Sequence, residues 1–117
     1  DTDKMDTQKQ ANGISPNFVH SMDASHLMKT VLTCKEKGIT DFAMIHDSFG
    51  THACNASVLA ATLRETFVEQ YSRDVLEDFR TEILQQLPEE LQAEIPPVPA
   101  KGSLNLESVK QSPYFFA

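Results

Sequence analysis

Apolar residues in the first third of the chain recur at the spacing of an α-helix. They follow Ser15-Pro16, a pair typical of a helix start, and they stop before Gly38, which favours a helix end. This pattern predicts a helix over residues 15–37. The residues before it show no apolar period, so residues 1–14 are predicted to form a polar lead-in.

The pattern changes after this helix. A short apolar run bounded by turn formers covers residues 42–45, which favours a strand over a helix, and residues 49–53 form a second plausible strand. Two short strands on either side of a polar tip predict an antiparallel β-hairpin. Asp47 is expected to lie at its turn or beside it.

Two further helices are predicted in the second half of the chain. Asn55 or Ser57 can cap a helix in which an apolar residue occurs at every fourth position from Leu59 to Tyr71. Asp74 then opens a capping-box pattern for another helix, which must end by Pro88. The fold class predicted is therefore α+β, mainly helical, with a two-stranded antiparallel hairpin that packs against the helices.

The last segment, residues 88–117, is predicted to be a spacer followed by an aromatic end. Residues 96–99 read Pro-Pro-Val-Pro, which favours an extended arm. Tyr114, Phe115 and Phe116 stand directly before Ala117, and the large burial energy of aromatic rings predicts that all three pack onto the rest of the chain.

Composition narrows the class of protein. A chain of 117 residues allows one small domain or a piece of a larger one, and its start at Asp1 within a polar stretch predicts a piece. Its 10 basic and 17 acidic residues give a net charge of −7, which argues against a free-standing nucleic-acid binder. Two cysteines favour a reducing compartment, and no apolar run approaches the roughly 20 residues of a membrane span.

The triplet His46-Asp47-Ser48 is the strongest candidate for chemistry. It follows an apolar strand directly, and a rigid strand can hold a carboxylate in the fixed place that a metal ligand requires. Asp and Ser are also common turn residues, and composition alone favours that interpretation. The residues by themselves therefore indicate a metal-assisted site at Asp47 only as one of two alternatives.

Other polar residues give weaker signals. His20 and Asp23 lie three apart and share one face of the first helix, where a solvated polar face is the simpler interpretation. A zinc site can be drawn from the histidines and cysteines, but their spacing is not that of known zinc sites, and buried cysteines are commonly small apolar residues. The residues considered were His20, His26, Cys34, His52 and Cys54.

Two longer stretches resemble single-subunit, phage-type RNA polymerases. They read GISPNFVHSMDASHL over residues 13–27 and AMIHDSFGT over residues 43–51, and they occur in the family's order and at about its separation. The chain also closes as that family closes, with PAKG at residues 99–102, LNL at residues 104–106 and a hydrophobic end, called the foot. The resemblance covers nearly the whole chain.

The resemblance implies the C-terminal part of a polymerase palm. Residues 1–14 then correspond to a truncated connection from the fingers, residues 15–87 to the C-terminal palm portion, and residues 88–117 to the spacer and foot. The chain would contribute to a DNA-directed RNA polymerase, a nucleotidyltransferase that adds ribonucleotides to an RNA 3′ end on a DNA template. The isolated fragment is expected to be inactive.

The resemblance also assigns roles to residues. Asp47 is implied to be the catalytic ligand of two Mg²⁺ ions, which are shared with a second Asp upstream of Asp1. His46 is implied to lie beside the 3′ end of the primer, and His20 to read the minor groove of the template–RNA duplex. The foot, made of Phe115, Phe116 and Ala117, is implied to lie close to the catalytic site.

The implied partners are a DNA template, the RNA product, nucleoside triphosphates and the missing fingers, thumb and N-terminal regions of the same polymerase, with no membrane. Ile45 and Gly50 resemble phage enzymes, whereas Thr51-His52-Ala53 and the ending Tyr-Phe-Phe-Ala in place of Phe-Ala-Phe-Ala resemble organelle enzymes. The expected location is the cytoplasm of a phage-infected bacterial host, with the mitochondrion or plastid as second choice.

Two other functions compete with this interpretation. A metal-dependent phosphohydrolase could use His46-Asp47, although such enzymes carry the dyad on a helix and here it follows a strand-like run. A non-catalytic interaction module could use an exposed Phe115-Phe116 patch to bind a partner.

Overall fold

The computed structural model describes residues 4–115. Helices occupy most of this length, and a single antiparallel pair of strands joins the first two of them. The elements are α1 (Thr7–Glu36), β1 (Ala43–Ile45), β2 (Ser48–Gly50), α2 (Ala56–Ser72), α3 (Val75–Gln86) and α4 (Glu89–Gln92), with 3₁₀ turns at Ala53–Asn55 and Leu106–Gln111. The predicted α+β class with one hairpin is confirmed.

Helix α1 begins eight residues earlier than the sequence pattern predicts, at Thr7 rather than Ser15. Asp6 caps it, because one carboxylate oxygen accepts a hydrogen bond from the backbone N–H of Lys9 at 3.1 Å. Pro16 therefore lies inside the helix, where it removes the bond to the carbonyl of residue 12. The prediction of a helix start at Ser15 was wrong, and the helix runs across the boundary proposed at residues 14 and 15.

The end of α1 agrees with the prediction. The helix finishes at Glu36, and Gly38 has a φ of 89°, a backbone conformation that favours glycine. The chain can therefore turn sharply, and the backbone N–H of Ile39 bonds back to the carbonyl of Cys34 at 3.0 Å. This turn sends the chain directly into the hairpin.

The apolar core lies where α1, α2 and the hairpin meet. It contains Cys34, Ile39, Leu59 and Leu63, and partly buried aromatic rings pack against it from the hairpin and the C-terminal segment: Phe42, Phe49 and Phe115. The predicted packing of the hairpin against the flanking helices is confirmed. The strands themselves are shorter than predicted, because β2 ends at Gly50 and a 3₁₀ turn begins at Ala53.

A row of buried polar side chains, the polar seam, joins α1 to α2. Its members are His26, Thr30, Thr62, Thr66 and Gln70. Thr30 and Thr66 share a hydrogen bond of 2.9 Å across the seam, and Gln70 donates to the carbonyl of Met22 at 2.8 Å. Among the described residues, every buried side-chain nitrogen or oxygen has a hydrogen-bond partner. The seam therefore meets the general rule that polar groups buried in a protein are hydrogen-bonded.

Helix α3 contributes no residue to this core, whereas the C-terminal segment returns to it through Phe115. Asp74 caps α3 by accepting from the N–H of Glu77 at 3.3 Å, and the helix ends before Pro88, both as predicted. The radius of gyration is 18.4 Å, well above the roughly 13 Å of a compact domain of about 100 residues. Within residues 4–115, no helix is long and apolar enough to cross a membrane.

Candidate active site

His46 and Asp47 form the two-residue loop of the hairpin. The antiparallel register pairs Ile45 with Ser48, so only these two residues lie between the strands. His46 has a φ of 54°, and it is the one described residue other than glycine with positive φ. This conformation costs a non-glycine residue about 1–3 kcal/mol and must be imposed by the turn. The prediction that Asp47 lies at the turn is confirmed.

The loop projects into solvent. His46, Asp47 and Ser48 are all exposed, as is Ile45 before them. Among residues 4–115, the Asp47 carboxylate makes no hydrogen bond and no ion pair. Its oxygens are therefore available to a ligand, and oxygen atoms of carboxylates are the ligands that Mg²⁺ prefers.

The base of the hairpin, in contrast, is anchored. Phe42 and Phe49 pack against the apolar core, one from each side of the loop. Just outside the strands, the Thr51 hydroxyl donates to the carbonyl of Asp41 at 2.7 Å, and the His52 ring lies 3.4 Å from the Asp41 carboxylate. The hairpin thus presents an exposed tip from a fixed base.

The tip offers one carboxylate, not a complete metal site. Among the described residues, no group of three or more His, Cys, Asp or Glu side chains could hold a metal ion. An exposed carboxylate at a constrained turn fits the role of a shared ligand, because Mg²⁺ commonly keeps several waters and takes only one or two carboxylates from a protein.

The histidines of α1 lie in different environments. His20 is exposed, whereas His26 is 3% exposed and belongs to the polar seam. The Nε2 atom of His26 lies 3.1 Å from the Leu63 carbonyl and 3.1 Å from the Thr66 hydroxyl. Burial lowers the pKa of His26, and this outweighs the opposing effects of its bond to Leu63 and of nearby Asp23.

The cysteines are also separated. Cys34 is fully buried in the apolar core, and this burial raises the pKa of its thiol. Cys54 is exposed in the 3₁₀ turn before α2. The zinc alternative drawn from these residues has no support among residues 4–115. The interpretation of the two cysteines as small buried apolar residues is confirmed for Cys34 and wrong for Cys54, which is exposed.

The C-terminal segment returns to α2, where Arg64 holds it. The Arg64 guanidinium donates to the carbonyls of Ala60 at 2.9 Å and Ser112 at 3.1 Å, and it lies 5.6 Å from the centre of the Phe115 ring. Phe115 also packs edge-on against Phe67 at 5.2 Å. Packing of Phe115 is therefore confirmed.

The packing prediction has a different outcome for the residues on either side of Phe115. Tyr114 is 81% exposed, so the expectation that it packs onto the chain was wrong. Its carbonyl accepts from the Ser112 hydroxyl at 2.7 Å, which bends the backbone locally without burying the Tyr114 ring. Phe116 and Ala117 lie outside the described residues.

The cleft of about 650 Å³ lies away from the hairpin, between α1 and the region where α2 gives way to α3. Phe18 and Phe79 contact across it with ring centres 4.7 Å apart. Its two cationic side chains are already paired, Lys29 with Glu69 at 3.0 Å and Arg73 with Asp78 at 3.4 Å. None of the predicted site residues within the described part of the chain lines this cleft.

Two residues that contact the hairpin and the foot were not predicted from the sequence to do so. His26 contacts Phe49 of the hairpin, and Arg64 contacts Phe115 of the foot. A signal for the first exists in the sequence. His26, Thr30 and Cys34 repeat every four residues on α1, and Thr62, Thr66 and Gln70 repeat likewise on α2. Polar residues at the spacing of a core face indicate a helix contact made by hydrogen bonds. Arg64 carries no comparable signal, because its partners are backbone carbonyls.

Comparison with known proteins places this arrangement in a family. Residues 1–94 match the family described as DNA-dependent RNA polymerase, which is most of the chain. The chain belongs to the DNA-dependent RNA polymerase family, of the phage type.

Three relatives illustrate the match. The chain is 50% identical to the T7 RNA polymerase of Escherichia phage T7, over 97% of this chain and 13% of that protein. It is 43% identical to the mitochondrial DNA-directed RNA polymerase 1B of Nicotiana tabacum, over 99% of this chain and 11% of that protein. Identity to DNA-directed RNA polymerase 1A of Nicotiana tabacum is 42%, over 99% of this chain and 72% of that protein. The chain thus spans about an eighth or less of the first two relatives.

Proposed function

We propose that the chain forms the C-terminal palm portion of a DNA-directed RNA polymerase, which adds ribonucleotides to an RNA 3′ end on a DNA template. The observation that carries the proposal is the position of Asp47, exposed in a two-residue hairpin loop whose base is anchored in the core. Membership of the RNA polymerase family supports it. Residues 1–14 are proposed to connect to the fingers, residues 15–87 to form the palm portion, and residues 88–117 the spacer and foot.

The proposed role of Asp47 is to hold magnesium. Two bound Mg²⁺ ions supply an activated 3′-hydroxyl and charge neutralisation on the triphosphate during nucleotidyl transfer. The Asp47 carboxylate suits this role because it is exposed and lacks a protein partner among residues 4–115. Since residues 4–115 hold no group of three metal-ligating side chains, a second Asp from elsewhere in the polymerase completes the proposed site.

His46 and His20 are proposed to contact nucleic acid. His46 shares the loop with Asp47, and its positive φ gives the loop one defined backbone shape, so its ring can be presented beside the 3′ end of the RNA. His20 is exposed on α1, where its ring nitrogens are available for hydrogen bonds to the minor groove of the template–RNA duplex. The exposure of both side chains supports these roles.

The foot, made of Phe115, Phe116 and Ala117, is proposed to lie close to the catalytic site. The packing of Phe115 on Phe67 and beneath Arg64 supports this, because it anchors the segment immediately before Phe116 and Ala117. Packing alone explains the aromatic residues equally well.

The proposed partners are a DNA template, the RNA product and nucleoside triphosphates. With a net charge of −7, the chain itself offers little to phosphate groups, so the fingers, thumb and N-terminal regions of the same polymerase must supply most basic contacts. The proposed location is the cytoplasm of a phage-infected bacterial host. Identity of 50% to the phage T7 enzyme and 43% to the tobacco mitochondrial enzyme supports that choice over the mitochondrion or plastid.

The alternative functions receive no comparable support. A phosphohydrolase of the kind considered carries its His-Asp dyad on a helix, whereas His46 and Asp47 occupy a hairpin loop. An interaction module built on the foot needs an exposed Phe115, and this ring is half-buried against the core.

The proposed function is tested by exchanging one carboxylate for an amide. In the complete polymerase, Asp47→Asn keeps the shape of the side chain but removes its charge, so nucleotide addition should fall by several orders of magnitude while template binding persists. Asp78→Asn makes the same change at an exposed carboxylate on α3 and should leave activity within about twofold. Substantial activity in Asp47→Asn would remove Asp47 from the catalytic role.

A further inference from the structure

His26 lies at the junction of α1, α2 and the hairpin. On one side it contacts α2, through the Leu63 carbonyl and the Thr66 hydroxyl, each 3.1 Å from Nε2. On the other side its ring meets Phe49 of β2 edge-on, with ring centres 6.1 Å apart. It also meets Phe67 of α2 edge-on at 5.8 Å. One buried side chain therefore touches both the helix pair and the strand that follows Asp47.

The hydrogen bond fixes the tautomer and orientation of the His26 ring. A carbonyl oxygen can only accept, so the bond to Leu63 requires the proton on Nε2. Burial lowers the pKa of His26, which favours the neutral ring, and the neutral tautomer with its proton on Nε2 still donates to the Leu63 carbonyl. An imidazole held by Nε2 cannot rotate freely, and its remaining faces are then presented to Phe49 and Phe67 in one arrangement.

The hairpin needs such a contact, because it cannot define its own position. Each strand has three residues, and a two-stranded hairpin of this size is marginal without support. Phe49 lies only two residues after Asp47, a separation of about 6–7 Å along a strand. A shift at Phe49 therefore moves the Asp47 carboxylate almost directly, and productive sites tolerate displacements of only about 0.5 Å.

We propose that His26 is a positioning residue for the nucleotidyl-transfer site, one that sets the place of the Asp47 carboxylate through Phe49. This inference rests on the proposed function of Asp47. His26 touches neither substrate nor metal in this proposal. Its ring, locked to α2 by the Leu63 bond, serves as the surface against which β2 is seated.

Two substitutions in the complete polymerase separate the two properties of His26 that this role needs, the Nε2 donor and the aromatic ring. His26→Phe keeps an aromatic ring but loses the Nε2 donor, so the ring loses its fixed orientation. His26→Gln keeps an N–H donor that can reach the Leu63 carbonyl but offers no ring to Phe49. In both variants we expect kcat for nucleotide addition to fall about 10- to 100-fold, the size that a displacement of about 1 Å produces. We also expect a several-fold rise in the Mg²⁺ concentration that gives half-maximal activity, with template affinity unchanged.

Gln70→Leu is the matched control. Gln70 is a buried member of the polar seam, and it donates to a backbone carbonyl across the same two helices, at Met22, without contacting the hairpin. We expect Gln70→Leu to lower the melting temperature about as much as the His26 variants do. Its kcat and its Mg²⁺ dependence should stay within about twofold of the parent enzyme. His26 variants that lose only thermal stability, and match Gln70→Leu in kcat and Mg²⁺ dependence, would overturn the proposal.

Asp47→Asn belongs in the same set of measurements, because it reports on the function of the site independently. If Asp47→Asn abolishes nucleotide addition and the His26 variants leave kcat and Mg²⁺ dependence unchanged, the positioning role is wrong and the function of Asp47 stands. If Asp47→Asn is active, the proposed function itself fails and the positioning role falls with it.

Discussion

The hairpin and the polar seam are in contact, through Phe49 and His26, but they differ in how their polar side chains are bonded. In the seam, each buried polar atom has a partner, and bonds such as Thr30 to Thr66 at 2.9 Å join α1 to α2. At the hairpin tip, Asp47 is exposed and has no partner among residues 4–115. The difference agrees with a division in which the satisfied region provides rigidity and the exposed tip provides the chemistry proposed for Asp47.

This division follows from the physical chemistry of metal ligands. A carboxylate that is already hydrogen-bonded must give up those bonds before it binds a cation, whereas an unpaired and solvated one exchanges only water. The element that carries such a carboxylate cannot also be stabilised by it. Stability must therefore come from the base of the hairpin, where Phe42 and Phe49 meet the core.

The largest effect on hairpin stability is expected from a substitution at Phe49. Phe49→Ala removes a half-buried ring from the base and should lower the free energy of opening of the hairpin by about 2–4 kcal/mol. Ile45→Ala, at a residue that is 72% exposed beside the tip, should change it by no more than about 0.5 kcal/mol. Hydrogen exchange of the β1 and β2 amides in the complete polymerase measures both. Equal effects would mean that the tip, and not only the base, stabilises the hairpin.

A smaller effect is expected in the seam. Thr66→Val leaves the Thr30 hydroxyl without its partner at 2.9 Å, so it should cost about 1–3 kcal/mol, and Thr30→Val should behave similarly. The double variant should cost less than the sum by about 0.5 kcal/mol or more, since both partners are then removed. Hydrogen exchange along α1 and α2 provides the three values. Strict additivity would show that the two hydroxyls act independently.

The sequence predicted elements whose signals are local. Gly38 marks the end of α1 and Asp74 the start of α3, because a positive φ and an N-cap bond each depend on one residue and its neighbours. The position of Asp47 in the hairpin loop was predictable for the same reason. A change from helical to strand-like apolar spacing needs no knowledge of the rest of the fold.

Other features were not predictable from apolar spacing. The segment of α1 before Ser15 is largely exposed, so it has no apolar face, and only the Asp6 cap marks its start. In the seam, Thr30 and Thr66 occupy core positions that apolar patterns count as surface. Tyr114 is exposed although it stands directly before Phe115, whose ring packs beside the Arg64 guanidinium, and apolar spacing does not distinguish these two adjacent rings.

In the candidate site, too, some residues were predictable from the sequence and others were not. The residues proposed to do chemistry, Asp47, His46 and His20, were identified from sequence, and their exposure agrees with that role. The residues that hold them in place were not, because their contacts join positions far apart in the chain. His26 and Leu63, for example, are 37 residues apart.

Metal binding by Asp47 is measured most directly by iron-mediated cleavage of the complete polymerase. Fe²⁺ in place of Mg²⁺ generates hydroxyl radicals that cut the backbone close to the bound ion. Cuts are expected within residues 45–49, suppressed by excess Mg²⁺, lost in Asp47→Asn and retained in Asp78→Asn. Absence of cuts at the hairpin, or cuts there that persist in Asp47→Asn, would contradict the assignment of Asp47 as a metal ligand.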